Sequence, residues 1–342
     1  MTPRQQVIDA LNHRQIFPIP YHVDFTGQEY QRMVEYTGKP NFMDTYAPCM
    51  YLISYSGRTR EIPGRPGFFE DDYGVIWNRT GADRDIGVIE RPVIEDIECH
   101  HYRFPQVDEA KLRTEMEQLV ARKKDRFAMA GIGFSMFERA WTLCSMEEVL
   151  MAMVAAPAAL DRLLEDICDY HLQMVRIMLE YDVDGIYFGD DWGQQKGLIM
   201  GKPHWVRFIK PRIQRLYDEV KAKGKFVVQH SCGDINEILP ELVEMGLDCY
   251  QTFQPEIYDI QQVKSTLGQR LSFWGGISTQ RLLPFAEPDV VQKETARILN
   301  ILGKNGGYIA APTHAVPGDV PPENIMAMLE VFAHQEQFGI NG

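Results

Sequence analysis

From about residue 105 onward, short apolar stretches of strand length alternate with longer amphipathic stretches of helix length. The pattern predicts strands at 126–132, 184–189, 225–230, 247–252, 271–275 and 307–311. It predicts helices at 108–124, 157–181, 203–223, 234–245, 259–268, 288–303 and 321–336. Strands that alternate with helices pair in parallel through right-handed crossovers, and these units are too many for a small sheet. The pattern therefore predicts an α/β fold, a (β/α)8 TIM barrel.

The first third of the chain is less regular. Thr2 followed by Pro3 is typical of a helix start, and a strand is predicted at about 17–25. Residues from about 40 to 105 are rich in turn formers, with short hairpin strands such as 73–77. We interpret this stretch as an insertion that covers one end of a single barrel domain, residues 1–342. One barrel strand is missing from the count, and we expect it within the irregular stretch before residue 105.

Composition and charge exclude several classes of protein. The 342 residues are 45% hydrophobic and 24% charged, which is ordinary for a globular protein and excludes disorder or a coiled coil. A net charge of −13 without a basic cluster opposes binding to nucleic acid or to an anionic membrane. The N-terminus lacks the apolar core of a signal peptide, no apolar run approaches ~20 residues, and the six cysteines are scattered. We therefore expect a cytoplasmic protein.

Polar side chains follow directly after most of the predicted strands. In a TIM barrel the carboxyl ends of the strands open on one mouth, where the chemistry lies. The polar positions there are Glu138, Arg139, Asp190, Asp191, His230, Cys232, Gln251, Gln254, Thr313 and His314. The convergence of so many polar groups on one mouth favours an enzyme.

His230 and Cys232 form the sharpest pair of candidate metal ligands. Two residues apart at the end of a strand, their side chains can turn toward one ion, and imidazole with thiolate is a normal zinc set. His314, at the end of the last predicted strand, is well placed to be the third ligand. The alternative is that Cys232 is a buried apolar thiol and His230 a hydrogen-bonded core residue. The neighbouring carboxylates favour the metal site.

The acidic residues at the strand ends admit two interpretations. Asp190 and Asp191 are either a helix cap with a solvated charge, or groups that serve the metal or act as a general base. Glu138 either pairs with Arg139 or reaches the metal. We take Asp191 and Glu138 as the candidates for a fourth ligand or for the catalytic acid and base.

Several motifs together resemble the uroporphyrinogen decarboxylase superfamily. They are Gly131-Ile-Gly-Phe with Ala140-Trp-Thr-Leu, His230-Ser-Cys-Gly233, Leu239-Pro240, Gly246-Leu-Asp248, Phe273-Trp-Gly-Gly-Ile277, Gly306-Gly-Tyr-Ile309 and Pro321-Pro-Glu-Asn-Ile325. The resemblance runs through most of the chain and is clearest from Gly131 onward. It implies a (β/α)8 barrel, and either cofactor-free decarboxylation of a porphyrinogen or zinc-dependent methyl transfer to and from corrinoid proteins.

The methyltransferase branch is the more similar one. His230 and Cys232 match its His-x-Cys zinc motif, whereas the Arg-rich segment with which decarboxylases grip their substrate is replaced by neutral to acidic residues at 21–30. Members that act on coenzyme M usually carry Cys near the last strand, where this chain has His314, so demethylating members are the better analogues. The resemblance thus implies Zn2+, a corrinoid (cobalamin) carried by a partner protein, and a small methyl donor or acceptor, for example a methoxylated aromatic.

Two other functions stay open at this point. One is a decarboxylase of a porphyrinogen-type substrate, with Asp24 or Asp191 as the acid. The other is a non-catalytic barrel that binds a small molecule or a corrinoid protein as a scaffold. Because barrels of this kind often dimerise, a homodimer is expected in each case.

Overall fold

One parallel sheet of seven strands organises the computed structural model, which describes residues 1–46, 48–55, 57–81, 87–99 and 101–340. Its strands are β1 (Met50–Tyr55), β2 (Phe127–Ile132), β3 (Gly185–Gly189), β4 (Phe226–His230), β5 (Cys249–Phe253), β6 (Ser272–Ile277) and β7 (Tyr308–Pro312). Each strand pairs with the next one along the chain. The order is that of a barrel, and β1 is the strand expected before residue 105.

The two edges of the sheet are joined through residues 20–22. Ala310 on β7 donates to the carbonyl of Pro20 (2.9 Å) and accepts from the His22 amide (3.0 Å), and the Cys49 amide donates to the carbonyl of Tyr21 (3.0 Å). The predicted strand at 17–25 is wrong in extent, since only isolated bridges form there. A proline has no amide hydrogen to donate, and Pro18 and Pro20 interrupt this segment. The (β/α)8 barrel class is confirmed, with residues 20–22 in the position of an eighth strand.

Helices surround the sheet, and their bounds agree with most predictions. They are α1 (Pro3–Leu11), α2 (Gly27–Thr37), α3 (Glu109–Arg122), α4 (Phe137–Cys144), α5 (Met146–Ala155), α6 (Pro157–Met178), α7 (Lys202–His204), α8 (Lys210–Lys221), α9 (Leu239–Glu244), α10 (Ile260–Leu267), α11 (Leu282–Phe285), α12 (Pro288–Leu302) and α13 (Pro322–Ala333). A π-helical turn, Trp205–Ile209, joins α7 to α8, and two 3-10 turns are Phe42–Thr45 and Gln335–Phe338. No described helix combines the length and apolarity that crossing a membrane requires.

The helix predicted at 234–245 begins later than expected. Residues 234–238 are turn, and the Ile235 amide donates to the Tyr258 hydroxyl (3.0 Å) instead of to a helical carbonyl. Pro240 restricts the residue before it and cannot donate its own amide, so the helix starts only at Leu239. The effect is a tight turn directly after β4, which fixes the segment that carries Cys232.

Side chains inside the barrel form a separate apolar layer beneath the mouth. Met50, Met129, Val228, Cys249 and Ile309, one from each of five strands, pack together and are at most 5% exposed. Burial of each such side chain contributes about 1.5–3 kcal/mol. Because side chains alternate along a strand, the inward position two residues after Val228 is His230, which therefore lies above this layer at the mouth.

Residues between β1 and α3 form a small antiparallel sheet beside the mouth. Its strands are Thr59–Glu61, Phe68–Asp71, Ile76–Asn78 and Val88–Ile89. The Asp71 carboxylate holds the central turn by accepting from the amides of Tyr73 (2.9 Å) and Val75 (3.0 Å). This turn occupies much of the hairpin strand predicted at 73–77, so the strand begins only at Ile76. A second two-stranded hairpin, Gly193–Gln194 with Gly197–Leu198, follows β3.

Candidate metal centre

The structure brings His230, Cys232 and His314 together at the barrel mouth. One potential ligand atom from each, two imidazole nitrogens and the thiol sulfur, lies within 4.8 Å of the others. His230 is the last residue of β4, Cys232 follows in the next turn, and His314 follows β7. The His230 Nε2 atom is 3.6 Å from the Cys232 Sγ atom, and the rings of the two histidines have centroids 5.8 Å apart.

The separation of the His230 and Cys232 ligand atoms fits a zinc ion. With the usual Zn–S and Zn–N bond lengths and tetrahedral angles, roughly 3.6 Å separates a sulfur ligand from a nitrogen ligand. The observed separation of Nε2 and Sγ is 3.6 Å, so these two atoms need no rearrangement. Histidine nitrogen and cysteine sulfur are ligands that zinc prefers, and three protein ligands leave the fourth tetrahedral position for a substrate.

The orientation of the His230 ring is set by Gln251, whose role the sequence did not reveal. The His230 Nδ1–H donates to the Gln251 side-chain oxygen, and the Tyr187 hydroxyl donates to the same oxygen (3.2 Å). Because Nδ1 is occupied as a donor, Nε2 is the nitrogen that faces Cys232. Hydrogen bonds of this kind fix the tautomer and direction of metal-binding histidines.

Two glycines allow the loops after β3 and β4 to touch. A Cβ atom at Gly193 would lie 2.6 Å from the Cys232 carbonyl oxygen, and one at Gly233 would lie 2.3 Å from the Gly193 carbonyl carbon. Gly233 also has a φ of 78°, which glycine adopts most readily. The close approach lets the Asp191 Oδ1 atom accept from the Cys232 amide at 2.7 Å. The position of the thiol therefore depends on the neighbouring loop.

Asp190 and Asp191 divide the two roles that the sequence left open. Asp190 is fully buried and accepts from the amides of Met136 (3.3 Å), Phe137 (3.0 Å) and Glu138 (2.8 Å), at the start of α4. Burial raises the pKa of Asp190 to about 6, although its backbone and Trp192 donors favour the charged form. Asp190 is thus the helix cap, and Asp191 is left as the candidate for a role at the metal site.

Asp191 faces the candidate ligands. Its Oδ1 atom is 3.3 Å from the His230 Nε2 atom. Burial opposes ionisation here, but the hydrogen bonds with His230 and the Cys232 amide lower the pKa of Asp191 to about 2. A permanent carboxylate therefore lies against the ligand cluster.

Glu138 lies on the first turn of α4, beside both aspartates. Its carboxylate accepts a hydrogen bond from the Asp191 amide. Arg139, its partner in one of the two sequence interpretations, faces Asp71 at 3.9 Å. Burial and the charges of Asp191 and Asp190 raise the pKa of Glu138 well above its ordinary value. Glu138 can therefore carry a proton at the mouth, close to the candidate metal ligands.

The two histidines differ in their electrostatic surroundings. Desolvation and the neighbouring His230 lower the pKa of His314, although the residue is exposed, and this favours the neutral ring. Burial also disfavours the charged form of His230, but Tyr187, Asp191 and Cys232 raise the pKa of His230 well above its ordinary value. A cation is therefore favoured where these groups converge. Asp24, the alternative acid, instead pairs with the His22 Nε2 atom (3.0 Å) and lies near enough to His314 to interact with it.

Two adjoining cavities lie between the mouth and the small antiparallel sheet. The first, of about 420 Å³, is lined by Ser54, Tyr55, Tyr73, Phe134, Arg139 and His171, among others. The second, of about 560 Å³, is lined by Ile89, Trp141, Met146 and Glu138. Trp77 and Phe134 line both and are stacked, with centroids 5.9 Å apart. Glu138 thus connects the second cavity with the carboxylates beside the ligand cluster.

The fold and the site together define the class of protein, a barrel with candidate metal ligands at the ends of its strands. The model of the uroporphyrinogen decarboxylase (URO-D) family matches residues 80–335, more than half of the chain. The chain therefore belongs to the uroporphyrinogen decarboxylase family, as the motifs predicted.

Curated relatives are distant. The uroporphyrinogen decarboxylase of Methylococcus capsulatus is 21% identical over 238 residues, which are 66% of this chain and 65% of that protein. The uroporphyrinogen decarboxylase of Syntrophotalea carbinolica is 25% identical over 267 residues, 72% of each chain. A solved structure, a methyltransferase from Methanosarcina mazei, superposes with a TM-score of 0.73 at 17% identity and covers 98% of this chain and 99% of that one. This last likeness shows that the fold is shared along nearly the whole chain.

Proposed function

We propose that this protein is a zinc-dependent methyltransferase that moves a methyl group between a small substrate, such as a methoxylated aromatic compound, and the cobalt of a corrinoid held by a partner protein. The observation that carries the proposal is the convergence of His230, Cys232 and His314 within 4.8 Å. Membership of the family is in accord with it, and the structurally similar Methanosarcina mazei chain bears the name methyltransferase.

Zinc held by these three residues would supply a Lewis acid for the oxygen of the methyl donor. The corrinoid of the partner would supply the reduced cobalt that accepts the methyl group when the substrate C–O bond is cleaved, so the leaving oxygen would need a proton. Glu138 lines the second cavity and is placed to supply that proton. Gln251 keeps the His230 Nε2 atom directed at the site, and Asp191 holds the Cys232 segment in position.

The proposal makes the cobalt carrier a separate protein. The described elements form the barrel, its surrounding helices and two small sheets, and all of them pack on or beside the barrel. A corrinoid protein would approach the open mouth, where the substrate cavities and the candidate ligands lie.

Metal content of the tag-free protein tests the proposal. We expect about one zinc per chain, lost in Cys232→Ala and strongly reduced in His314→Asn. The matched controls are Cys99→Ala and His334→Asn, because both residues are exposed and lie outside the ligand cluster. Methyl transfer from methoxylated aromatics to cob(I)alamin should follow the zinc content. Full metal content and full transfer in Cys232→Ala would contradict the proposal.

A decarboxylase of a porphyrinogen-type substrate is the second candidate, favoured by the names of the curated relatives. The carboxylates of Asp24 and Asp191 oppose it, because their lowered pKa values keep negative charge beside the ligand cluster, where it would repel a polyanionic substrate. Turnover of uroporphyrinogen by metal-depleted protein distinguishes the two candidates. Robust decarboxylation without metal would replace the zinc proposal.

A further inference from the structure

Two of the residues that line the first cavity carry buried hydrogen-bond donors without partners. The Arg139 Nε and the Tyr55 hydroxyl are both inaccessible to solvent, and no group in the described parts of the chain bonds to them. Both residues line the 420 Å³ cavity. Buried donors without acceptors are uncommon because each costs about 1–3 kcal/mol, so a bound ligand with acceptor oxygens is the natural complement.

The Arg139 guanidinium is held rigidly beside the cavity. Its central carbon lies 3.8 Å from the centroid of the Tyr73 ring and 5.5 Å from that of Phe134. The Nη1 atom donates to the Thr142 hydroxyl (3.2 Å). Arg139 is only 7% exposed, so rotation away from the cavity into solvent is hindered. A fixed, planar donor group of this kind favours recognition of a carboxylate.

Asp71 does not satisfy this arginine. Its nearest oxygen is 3.9 Å from the Arg139 Nη1 atom, too far for a hydrogen bond. The Asp71 oxygens already accept from the amides of Tyr73 and Val75 and from the Trp77 indole (2.9 Å). The negative charge of Asp71 offsets part of the positive charge of Arg139. The guanidinium can still donate hydrogen bonds to a further acceptor.

The walls of the cavity are aromatic. Tyr73 and the stacked pair Trp77 and Phe134 line it, and the same pair continues into the second cavity, where Glu138 lies. A planar ring can pack against these side chains while a charged group on it reaches Arg139. Arg139 and Glu138 are consecutive residues on α4, so one ligand that spans the two cavities can address both.

We propose that the first cavity binds an aryl carboxylate, with Arg139 and Tyr55 donating to the carboxylate and the Trp77–Phe134 pair contacting the ring. This inference rests on the proposed function, because it names the substrate class of that function: the methyl donor would be an aromatic acid. The chemistry it needs is only binding, so it is tested without methyl transfer.

The probes are benzoate, its uncharged analogue benzamide, and acetate, which lacks the ring. Binding to the full-length protein is measured by calorimetry and by quenching of tryptophan fluorescence. We expect benzoate to bind at least about tenfold more tightly than either analogue, which is the range of one charge-assisted hydrogen bond. Equal binding of benzoate and benzamide, or no benzoate binding up to ~10 mM, overturns the proposal.

Two variants locate the carboxylate. Arg139→Met should reduce the preference for benzoate over benzamide to about twofold or less, whereas the control Arg297→Met, an exposed residue paired with Glu294, should retain it. Tyr55→Phe removes only the unpartnered hydroxyl, so the fold should be retained while benzoate affinity falls about threefold to tenfold. If Arg139→Met does not fold, an unchanged preference in folded Tyr55→Phe overturns the proposal.

The same titration in Cys232→Ala separates this inference from the proposed function. We expect benzoate to bind this variant as tightly as it binds the wild-type chain, because Cys232 does not line the cavity. Retained benzoate binding in a wild-type protein without zinc or methyl transfer would sink the proposed function and leave the carboxylate site standing. Zinc-dependent methyl transfer by a protein that shows no preference for benzoate would overturn the carboxylate site and support the proposed function.

Discussion

Gln251 and His230 are register partners on β5 and β4, and the Gln251 side-chain oxygen accepts the Nδ1–H of His230 across the sheet. This hydrogen bond determines which imidazole nitrogen faces Cys232. The Tyr187 hydroxyl, from the strand on the other side of His230, donates to the same oxygen at 3.2 Å. The ligand cluster is therefore supported by two strands that contribute no ligand of their own.

Gln251→Leu should weaken zinc binding about 10- to 100-fold, because the His230 ring loses the acceptor that orients it. Competition with a chelating dye measures the affinity. The matched control is Gln335→Leu, which removes hydrogen bonds to the backbone of Ile19 on the other side of the fold. That variant should unfold at a lower temperature with unchanged zinc affinity. Equal zinc affinity in Gln251→Leu and the wild type would contradict the orienting role.

Glu138→Gln should lower the rate of methyl transfer about 100-fold or more without changing the zinc content. The amide is nearly the same shape but cannot give up a proton to the leaving oxygen. The control is Glu147→Gln, an exposed position on α5 that should transfer at the wild-type rate. Loss of zinc in Glu138→Gln would instead make this residue a ligand.

The strand ends could be predicted from the sequence because periodicity alone locates them. His230 is the last residue of an apolar strand, and Cys232 follows two positions later. The carboxyl ends of the parallel strands of a barrel must share one mouth. That geometry was enough to bring His314 to the same place from a strand 82 positions further along the chain. That these three candidate ligands converge was therefore predictable from the order of the strands.

The role of Gln251 was not predictable in this way. It depends on the register between β4 and β5, which places Gln251 opposite His230. The alternation of apolar and polar residues along each strand does not reveal how two strands joined by a helix are aligned. The division between Asp190 and Asp191 was open for a similar reason. Only the packing of α4 against the end of β3 shows that Asp190 caps a helix from another part of the chain.

The cavities were beyond prediction as well. A pair of Arg139 with Glu138 was one of two alternatives, but the small sheet between β1 and α3 places Asp71 and Tyr73 against Arg139. Those contacts join parts of the chain separated by more than 60 residues, and they depend on how the turn-rich stretch folds over the mouth. Local propensity contains no information of that range.

Gly193→Ala should lower both the stability of the fold and the affinity for zinc. The new Cβ atom would lie 2.6 Å from the Cys232 carbonyl oxygen, a backbone atom that cannot move without displacing the thiol. We expect a loss of about 1–3 kcal/mol in the free energy of unfolding. Gly318→Ala is the control, because the nearest atom to its Cβ would be 4.0 Å away. A wild-type zinc affinity in Gly193→Ala would show that the two loops move independently.

His171 should make the fold sensitive to mild acid. The ring is 1% exposed and its Nδ1 atom is 2.6 Å from the Ser135 carbonyl oxygen, and burial together with Arg139 lowers the pKa of His171 to about 3. In the unfolded chain the pKa of His171 has its ordinary value of 6.5, so the unfolded chain binds a proton at a pH where the folded chain does not. Stability is therefore lost as the pH falls below 6.5, by about 2 kcal/mol between pH 7 and pH 5.

Urea unfolding of the wild type and of His171→Gln at both pH values measures this loss. The variant should lose about 2 kcal/mol less than the wild type. Parallel losses in the two proteins would mean that His171 is protonated in the folded state.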